Sequence, residues 1–183
     1  TKWTAYVELV NPDILKELTF KRVYTSGCGR GTLFYNALDL ANRREITSKL
    51  TINMREVSAL MEDFQKQSQM YLATGGTHSA ALADTKGIII FKEDIGRHNA
   101  IDKVIGNALE ENIPFNSSIL ISSGRISSEV LFKLQKCAIP IVISRSAPTN
   151  QAIKIARETG ITLVGFARGT RMNIYSKEER ITP

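Results

Sequence analysis

Residues 119–149 read Ile119-Leu-Ile-Ser-Ser-Gly-Arg-Ile-Ser-Ser-Glu-Val-Leu-Phe-Lys-Leu-Gln-Lys-Cys-Ala-Ile-Pro-Ile-Val-Ile-Ser-Arg-Ser-Ala-Pro-Thr149. Two short β-branched runs, Ile119–Ile121 and Ile141–Ile143, bracket a stretch from Ser127 to Lys136 in which Val130, Leu131 and Leu134 recur at helical spacing. Strands this short and this apolar are buried on both faces, and a helix between two of them is the crossover that parallel pairing requires. The pattern continues in both directions. Upstream, Gly87–Phe91 reads as a buried strand, followed by a helix over Asn99–Glu111 that turns Ile101, Val104, Ile105, Ala108 and Leu109 inward. Downstream, Thr149–Glu158 reads as a helix with Ile153 and Ala156 inward, Gly160 as its stop, and Ile161–Phe166 as the last strand. The alternation predicts an α/β fold, a layered and mainly parallel sheet with helices.

The first third reads differently. Thr4–Val10 and Thr19–Tyr24 look like strands, and Arg55–Tyr71 looks like a helix leading into Gly75-Gly76. Between them Thr25-Ser-Gly-Cys-Gly-Arg-Gly-Thr32 packs three glycines into eight residues and predicts a flexible loop. The expected organisation is a small N-terminal β region over residues 1–52 and an α/β domain over 53–183.

Composition excludes several classes. A hydrophobic fraction of 43% with 23% charged residues excludes a disordered chain. No apolar run reaches the roughly 18 residues that cross a bilayer, and no signal peptide is visible, so the expected compartment is the cytoplasm. The net charge of +6 is uneven: residues 1–55 and 164–183 hold the whole surplus, and the middle is neutral. That argues for a local anionic target and against a nucleic-acid stripe along one helix. Two cysteines and two histidines, with no C-x-x-C pair, predict neither a disulfide scaffold nor a zinc site.

In an open α/β sheet ligands bind beyond the carboxyl ends of the strands. The joints there read Glu93-Asp-Ile-Gly-Arg-His-Asn99, Ser122-Ser-Gly-Arg125, Ser144-Arg-Ser-Ala-Pro-Thr149 and Ala167-Arg-Gly-Thr-Arg171. Each carries an Arg together with small or hydroxylated residues, and the first three open helices. That combination suits a phosphate-rich ligand. Candidate pocket residues are therefore Arg97, His98, Ser123, Gly124, Arg125, Ser146 and Thr149, with His78 from the Gly75-Gly-Thr-His78 turn as a fifth contributor. Plainer readings stand beside these: Thr149 as an N-cap, Arg97 paired with Asp94 or Asp102, and His98 paired with Asp102 one turn on. Cys137, beside a buried strand, reads as a small core residue. Cys28, in a basic glycine loop with Arg30, Lys21 and Arg22 nearby, reads as a thiol poised to ionise.

Taken together, Glu93-Asp-Ile-Gly-Arg-His-Asn-Ala-Ile-Asp-Lys103, Ser123-Gly-Arg-Ile-Ser127, Ser146-Ala-Pro-Thr149, Gly75-Gly-Thr-His-Ser-Ala-Ala81 and Leu163-Val-Gly-Phe-Ala-Arg-Gly169 strongly resemble the FdhD family of formate dehydrogenase accessory sulfur carriers. The resemblance covers roughly Thr25 to the C-terminus. Family proteins are longer at the front, which makes this sequence similar to their C-terminal part. The resemblance implies a cytidine-deaminase-like fold, a homodimer, and a carrier that takes sulfur from a cysteine desulfurase. The sulfur then passes to the molybdenum bis(molybdopterin guanine dinucleotide) cofactor before that cofactor enters formate dehydrogenase. It places the carried sulfur on Cys28 and the guanine-dinucleotide stretch on Phe166, Ala167, Arg168, Gly169, Thr170 and Arg171.

This sequence departs from the family loop, C-G-x-C-G: matched on Ser26-Gly-Cys-Gly29, the preferred register, it sets Cys28 at the first cysteine and Gly31 at the second, whereas a shifted match sets Cys28 second and Thr25 first. The persulfide then has no neighbouring thiol to resolve it, and it hands on its outer sulfur directly. The alternative is a non-catalytic chaperone that binds the cofactor. A zinc deaminase is disfavoured because His78 is followed by Ser79-Ala80 rather than by the required Glu. A serine hydrolase is disfavoured because Ser123 does not sit in a nucleophile elbow.

Overall fold

A computed structural model describes residues 22–24, 32–34 and 45–183. The chain divides into two compact units, 1–43 and 44–183. In the first, β1 (Arg22–Tyr24) and β2 (Thr32–Phe34) pair antiparallel, with Tyr24 opposite Thr32. The expected strand over Thr4–Val10, Cys28 and the loop around it lie outside the described residues. Residues 45–52, grouped above with the N-terminal region, pack into the second unit: Ile46 is buried and its N–H donates to Thr159 O at 2.8 Å.

The second unit is built on a six-stranded sheet in the order β5-β4-β6-β7-β8-β9. Its strands are β4 (His78–Ala83), β5 (Ile88–Asp94), β6 (Ile119–Ser122), β7 (Ile141–Ser144), β8 (Thr162–Arg168) and β9 (Arg171–Ser176). The α/β class is as expected, and the central strands β6, β7 and β8 are parallel. The flanks correct the expectation of a mainly parallel sheet. β4 pairs antiparallel with both β5 and β6, and β9 antiparallel with β8, so the sheet is mixed. The connections decide this. The parallel strands are joined by helices, whereas β4–β5 and β8–β9 are joined by short turns that only antiparallel pairing can use. In the first turn Asp84 Oδ1 accepts from Lys86 N at 2.7 Å and Gly87 N at 3.0 Å; the second turns on Gly169 at φ +55°.

Helices cover both faces. α1 (Met54–Gln67) starts from a capping box between Asn53 and Glu56, and α2 (Gln69–Thr74) ends at Gly75 in the left-handed region. α3 (Arg97–Glu110), α4 (Ser128–Cys137) and α5 (Asn150–Thr159) follow, each preceding the next strand. Alternation along the strands sorts the core into two layers. Leu120 and Val142 face α3, α4 and α5; Ile119, Ile121, Ile141 and Ile143 face α1 together with Ile52 and Ile181 of the short parallel pair β3 (Ile52–Asn53) and β10 (Ile181–Thr182). Leu109, expected inward, is 62% exposed near the end of α3, whereas Ala108 is buried. Cys137 is half-buried against the core, and burial pushes its thiol up. No described helix is long and apolar enough to cross a membrane.

Candidate functional site

The topology brings all five sequence candidates to one sheet edge. β6, β7 and β8 run parallel and end there; β4, antiparallel to β6, begins there at His78; β5 ends there at Asp94, opposite His78. The loops leaving the strands are stitched to one another by backbone and serine hydroxyls. Ser123 N donates to Ser79 O at 3.0 Å and Arg145 N to Ser122 O at 3.1 Å, while Ser144 Oγ donates to Gly124 O at 2.7 Å. Ile126 bridges Pro148 in parallel fashion, with Thr149 N donating to Ile126 O at 2.9 Å. The edge is thus a set of mutually braced loops.

At its β8–β9 end, Phe166 takes φ +53°, a left-handed backbone that is uncommon for a bulky residue, and the residue is 41% exposed. The cause is local. The β8–β9 register shifts between Gly165 and Arg168, and Phe166 N is drawn out to Ser146 O at 3.1 Å. Gly165 has to be glycine, because a β-carbon there would lie 2.8 Å from Pro148 Cδ and 3.0 Å from the Tyr175 ring. Ala167 points the opposite way and is buried. Arg168 Nε donates to Arg145 O at 3.2 Å, using one of its five N–H donors, and Arg168 pairs across the hairpin with Arg171. Gly169 and Thr170 form the exposed turn between them. Phe166, Arg168 and Arg171 are therefore grouped on one exposed strip.

At the β4–β6 end, Ser123 Oγ accepts from Ser79 N at 2.9 Å and lies 3.3 Å from His78 Nδ1. Burial, then the nearby Arg97 and Arg125 guanidiniums, hold His78 below the ordinary imidazole value. Arg97 is not paired with Asp94, which instead takes Lys103 Nζ at 2.6 Å, Gly96 N at 2.8 Å and Asn99 Nδ2 at 3.1 Å. Asp102 pairs with Lys133, which leaves His98 Nε2 2.9 Å from Glu129 Oε2 on α4. That approach is too far out of line to make a hydrogen bond. Thr149 is spent as the α5 cap, its Oγ1 accepting from Ala152 N at 3.2 Å. Ser146 contributes backbone: its N–H donates to Ser144 Oγ at 3.0 Å, and its carbonyl holds Phe166.

Sequence reasoning left two participants out. Glu93 accepts from Met70 N and Tyr71 N, both at 3.0 Å, and from Thr77 Oγ1 at 3.2 Å, so it anchors α2 beside the site. Arg145 joins the two ends of the edge through its backbone. Arg145 was visible as the arginine of its joint, whereas only the β4–β5 register, which sets Ser79 opposite Glu93, exposes the role of the carboxylate. Among the described residues no group of three or more His, Cys, Asp and Glu is placed to hold a metal ion.

Known proteins resemble this chain along nearly its whole length. The FdhD/NarQ family profile matches residues 2–182. Relatives named Sulfur carrier protein FdhD include one from Bacillus pumilus, 45% identical over 179 residues, covering 97% of this chain and 68% of the relative. Another, from Bacillus subtilis, is 44% identical over 177 residues, covering 96% of this chain and 68% of the relative. Among solved structures, one from Desulfotalea psychrophila described as a formate dehydrogenase accessory protein matches with a TM-score of 0.74 at 28% identity, over 80% of this chain. The present chain spans 62% of that structure's length. With a family match that runs from one end to the other and relatives this similar, the chain belongs to the FdhD/NarQ family.

Proposed function

We propose that this chain is a sulfur carrier serving formate dehydrogenase, as the names of its relatives suggest, and that the sheet edge holds the molybdenum bis(molybdopterin guanine dinucleotide) that receives the sulfur. One observation carries the reading of the edge: Phe166, held outward by a left-handed backbone, stands on the same strip as Arg168 and Arg171. A flat exposed ring offers a stacking surface for a purine, and two guanidiniums offer bidentate donors to its phosphates. Cys28 is the thiol we assign to the sulfur. Its thiolate attacks the outer sulfur of a persulfide on the cysteine desulfurase; the bond between the two donor sulfurs breaks, and the donor cysteine leaves as a thiolate. No net oxidation occurs in that step. Passing the sulfur on as sulfide takes two electrons, supplied by a reduced client, and returns Cys28 as the thiolate. We further propose that the carrier works as a homodimer in the cytoplasm.

Intact-mass spectrometry after incubation with a cysteine desulfurase and cysteine tests the assignment. The expected result is a gain of one sulfur atom that a thiol reductant reverses and that Cys28→Ala abolishes. Sulfur loading that survives Cys28→Ala would remove Cys28 from the account. No loading on the unaltered chain would favour a cofactor-binding chaperone, consistent with Gly31 standing where a second cysteine is expected.

A further inference from the structure

Two hydroxyls are buried at the last positions of β6 and β7. Ser122 and Ser144 are register partners there, and each follows three apolar residues. A buried hydroxyl is costly unless it is hydrogen-bonded. These two are spent on one residue, from either side: Gly124 N donates to Ser122 Oγ at 3.2 Å, and Ser144 Oγ donates to Gly124 O at 2.7 Å. Ser144 goes further. Its single proton is committed to Gly124, so its lone pairs are left for the chain ahead, and Ser146 N donates to it at 3.0 Å. That closes a serine turn and fixes the path of Arg145 and Ser146.

Both presenting residues of the exposed strip hang on that path. Ser146 O accepts from Phe166 N at 3.1 Å, and Arg145 O accepts from Arg168 Nε at 3.2 Å. The approach is close, since a β-carbon on Gly165 would stand 3.2 Å from Ser146 O. Phe166 needs such a hold. A left-handed backbone is unfavourable for a residue with a β-carbon and persists only where its surroundings impose it. The register shift between Gly165 and Arg168 takes Phe166 out of step with β9, and the Ser146 carbonyl is the partner its amide takes instead.

We propose that Ser144 is a positioning residue for the Phe166–Arg168 strip. At 0% exposure its hydroxyl reaches no ligand. It acts by setting the Arg145 and Ser146 carbonyls, which hold Phe166 outward and steer the Arg168 guanidinium. Its part in binding rests on reading the strip as the guanine-nucleotide platform; its hold on Phe166 does not.

The test compares the full chain with two variants. Ser144→Ala removes both hydroxyl bonds. Ile143→Val removes one buried methylene from the preceding position of β7 and leaves every loop bond in place. Exchange of the Phe166 amide with deuterated solvent, followed by NMR, reads the hold without any ligand, and calorimetric titration of guanosine diphosphate reads binding. Ser144→Ala is expected to speed exchange at Phe166 while the amides of β6 keep their protection. It is also expected to weaken guanosine diphosphate binding roughly fivefold, the worth of about one hydrogen bond. Ile143→Val should change neither. If Ser144→Ala does not fold, Ser144→Cys, close in size but a weak donor, should show the same pattern to a lesser degree. A Phe166 amide as protected in the Ser144 variant as in the unaltered chain overturns the proposal. So does an equal effect of Ile143→Val, which would trace the change to strand stability, and so does faster exchange with binding undiminished. If the unaltered chain binds no guanosine diphosphate, the reading of the strip fails, whereas exchange speeded at Phe166 alone still supports the hold by Ser144.

Discussion

Gly124 shows how a single missing side chain shapes the site. Its place is set by Arg97, whose Cβ and Cδ would lie 2.9 and 3.0 Å from an added β-carbon. The near atom is the rigid base of the arginine and not its mobile tip, so the neighbour cannot move aside cheaply. Gly124→Ala is expected to lower stability by about 1–3 kcal/mol, in line with overpacked sites, as read from urea unfolding. The histidines predict a pH dependence. Burial and neighbouring arginines depress both in the folded chain, so the unfolded chain binds protons first. Their contribution to stability is full above the ordinary value of 6.5 and is lost as pH falls through it. The thermal midpoint should therefore drop between about pH 7 and 5, and a His78→Gln/His98→Gln variant should show a shallower drop over that range. At this scale the sequence revealed which residues gather at the edge, because each of the four joints after β5, β6, β7 and β8 carries an arginine together with small or hydroxylated residues. It could not reveal their partners. His98 was expected to meet Asp102 in its own helix, but Lys133 takes Asp102 and Glu129 comes from another helix.

Elements were legible where their period was strong and illegible where it was weak. The strands β6 and β7 and the helices α3, α4 and α5 stand within two residues of their sequence-based bounds at each end. β4 escaped because His78-Ser-Ala-Ala-Leu-Ala83 holds no β-branched residue and its alanines favour helix. It is a strand because it lies inside the sheet, between β5 and β6. The expected helix Arg55–Tyr71 is broken at Ser68, whose hydroxyl donates to Phe64 O and accepts from Ser79, giving α1 and α2. α2 buries none of its residues, and the N–H groups of Met70 and Tyr71 in its first turn are held by Glu93. Glu93→Ala should therefore release α2 while the core stays intact. In hydrogen exchange, amides of 69–74 are expected to lose protection while those of β6 and β7 keep theirs. Equal loss in both places would mean that Glu93 supports the sheet and not the helix.

Across the whole second unit, one residue near the C-terminus ties distant parts of the chain together. Arg180 is buried, and among the described residues no carboxylate pairs with it; its guanidinium donates to Gly160 O at 2.6 Å, Ile46 O at 3.1 Å, Thr162 Oγ1 at 3.2 Å and Ser48 O at 3.3 Å. It thereby fastens the incoming segment 46–48 to the end of α5 and the start of β8, at the sheet end opposite the site. Arg180→Ala strands several buried carbonyls and should cost about 2–4 kcal/mol in urea unfolding, with little change in ligand binding. This link was invisible in the sequence, since nothing in residues 178–182 signals a partner some 130 positions earlier.

We assign binding of the guanine-dinucleotide client to the strand-end edge, and to the Phe166–Arg171 strip above all. Calorimetric titration of guanosine diphosphate into the full chain and into an Arg168→Ala/Arg171→Ala variant tests it most directly. Loss of two charge-assisted contacts predicts binding weakened at least roughly tenfold in the variant. Equal affinity in the two proteins would contradict the account and move the nucleotide site away from this edge.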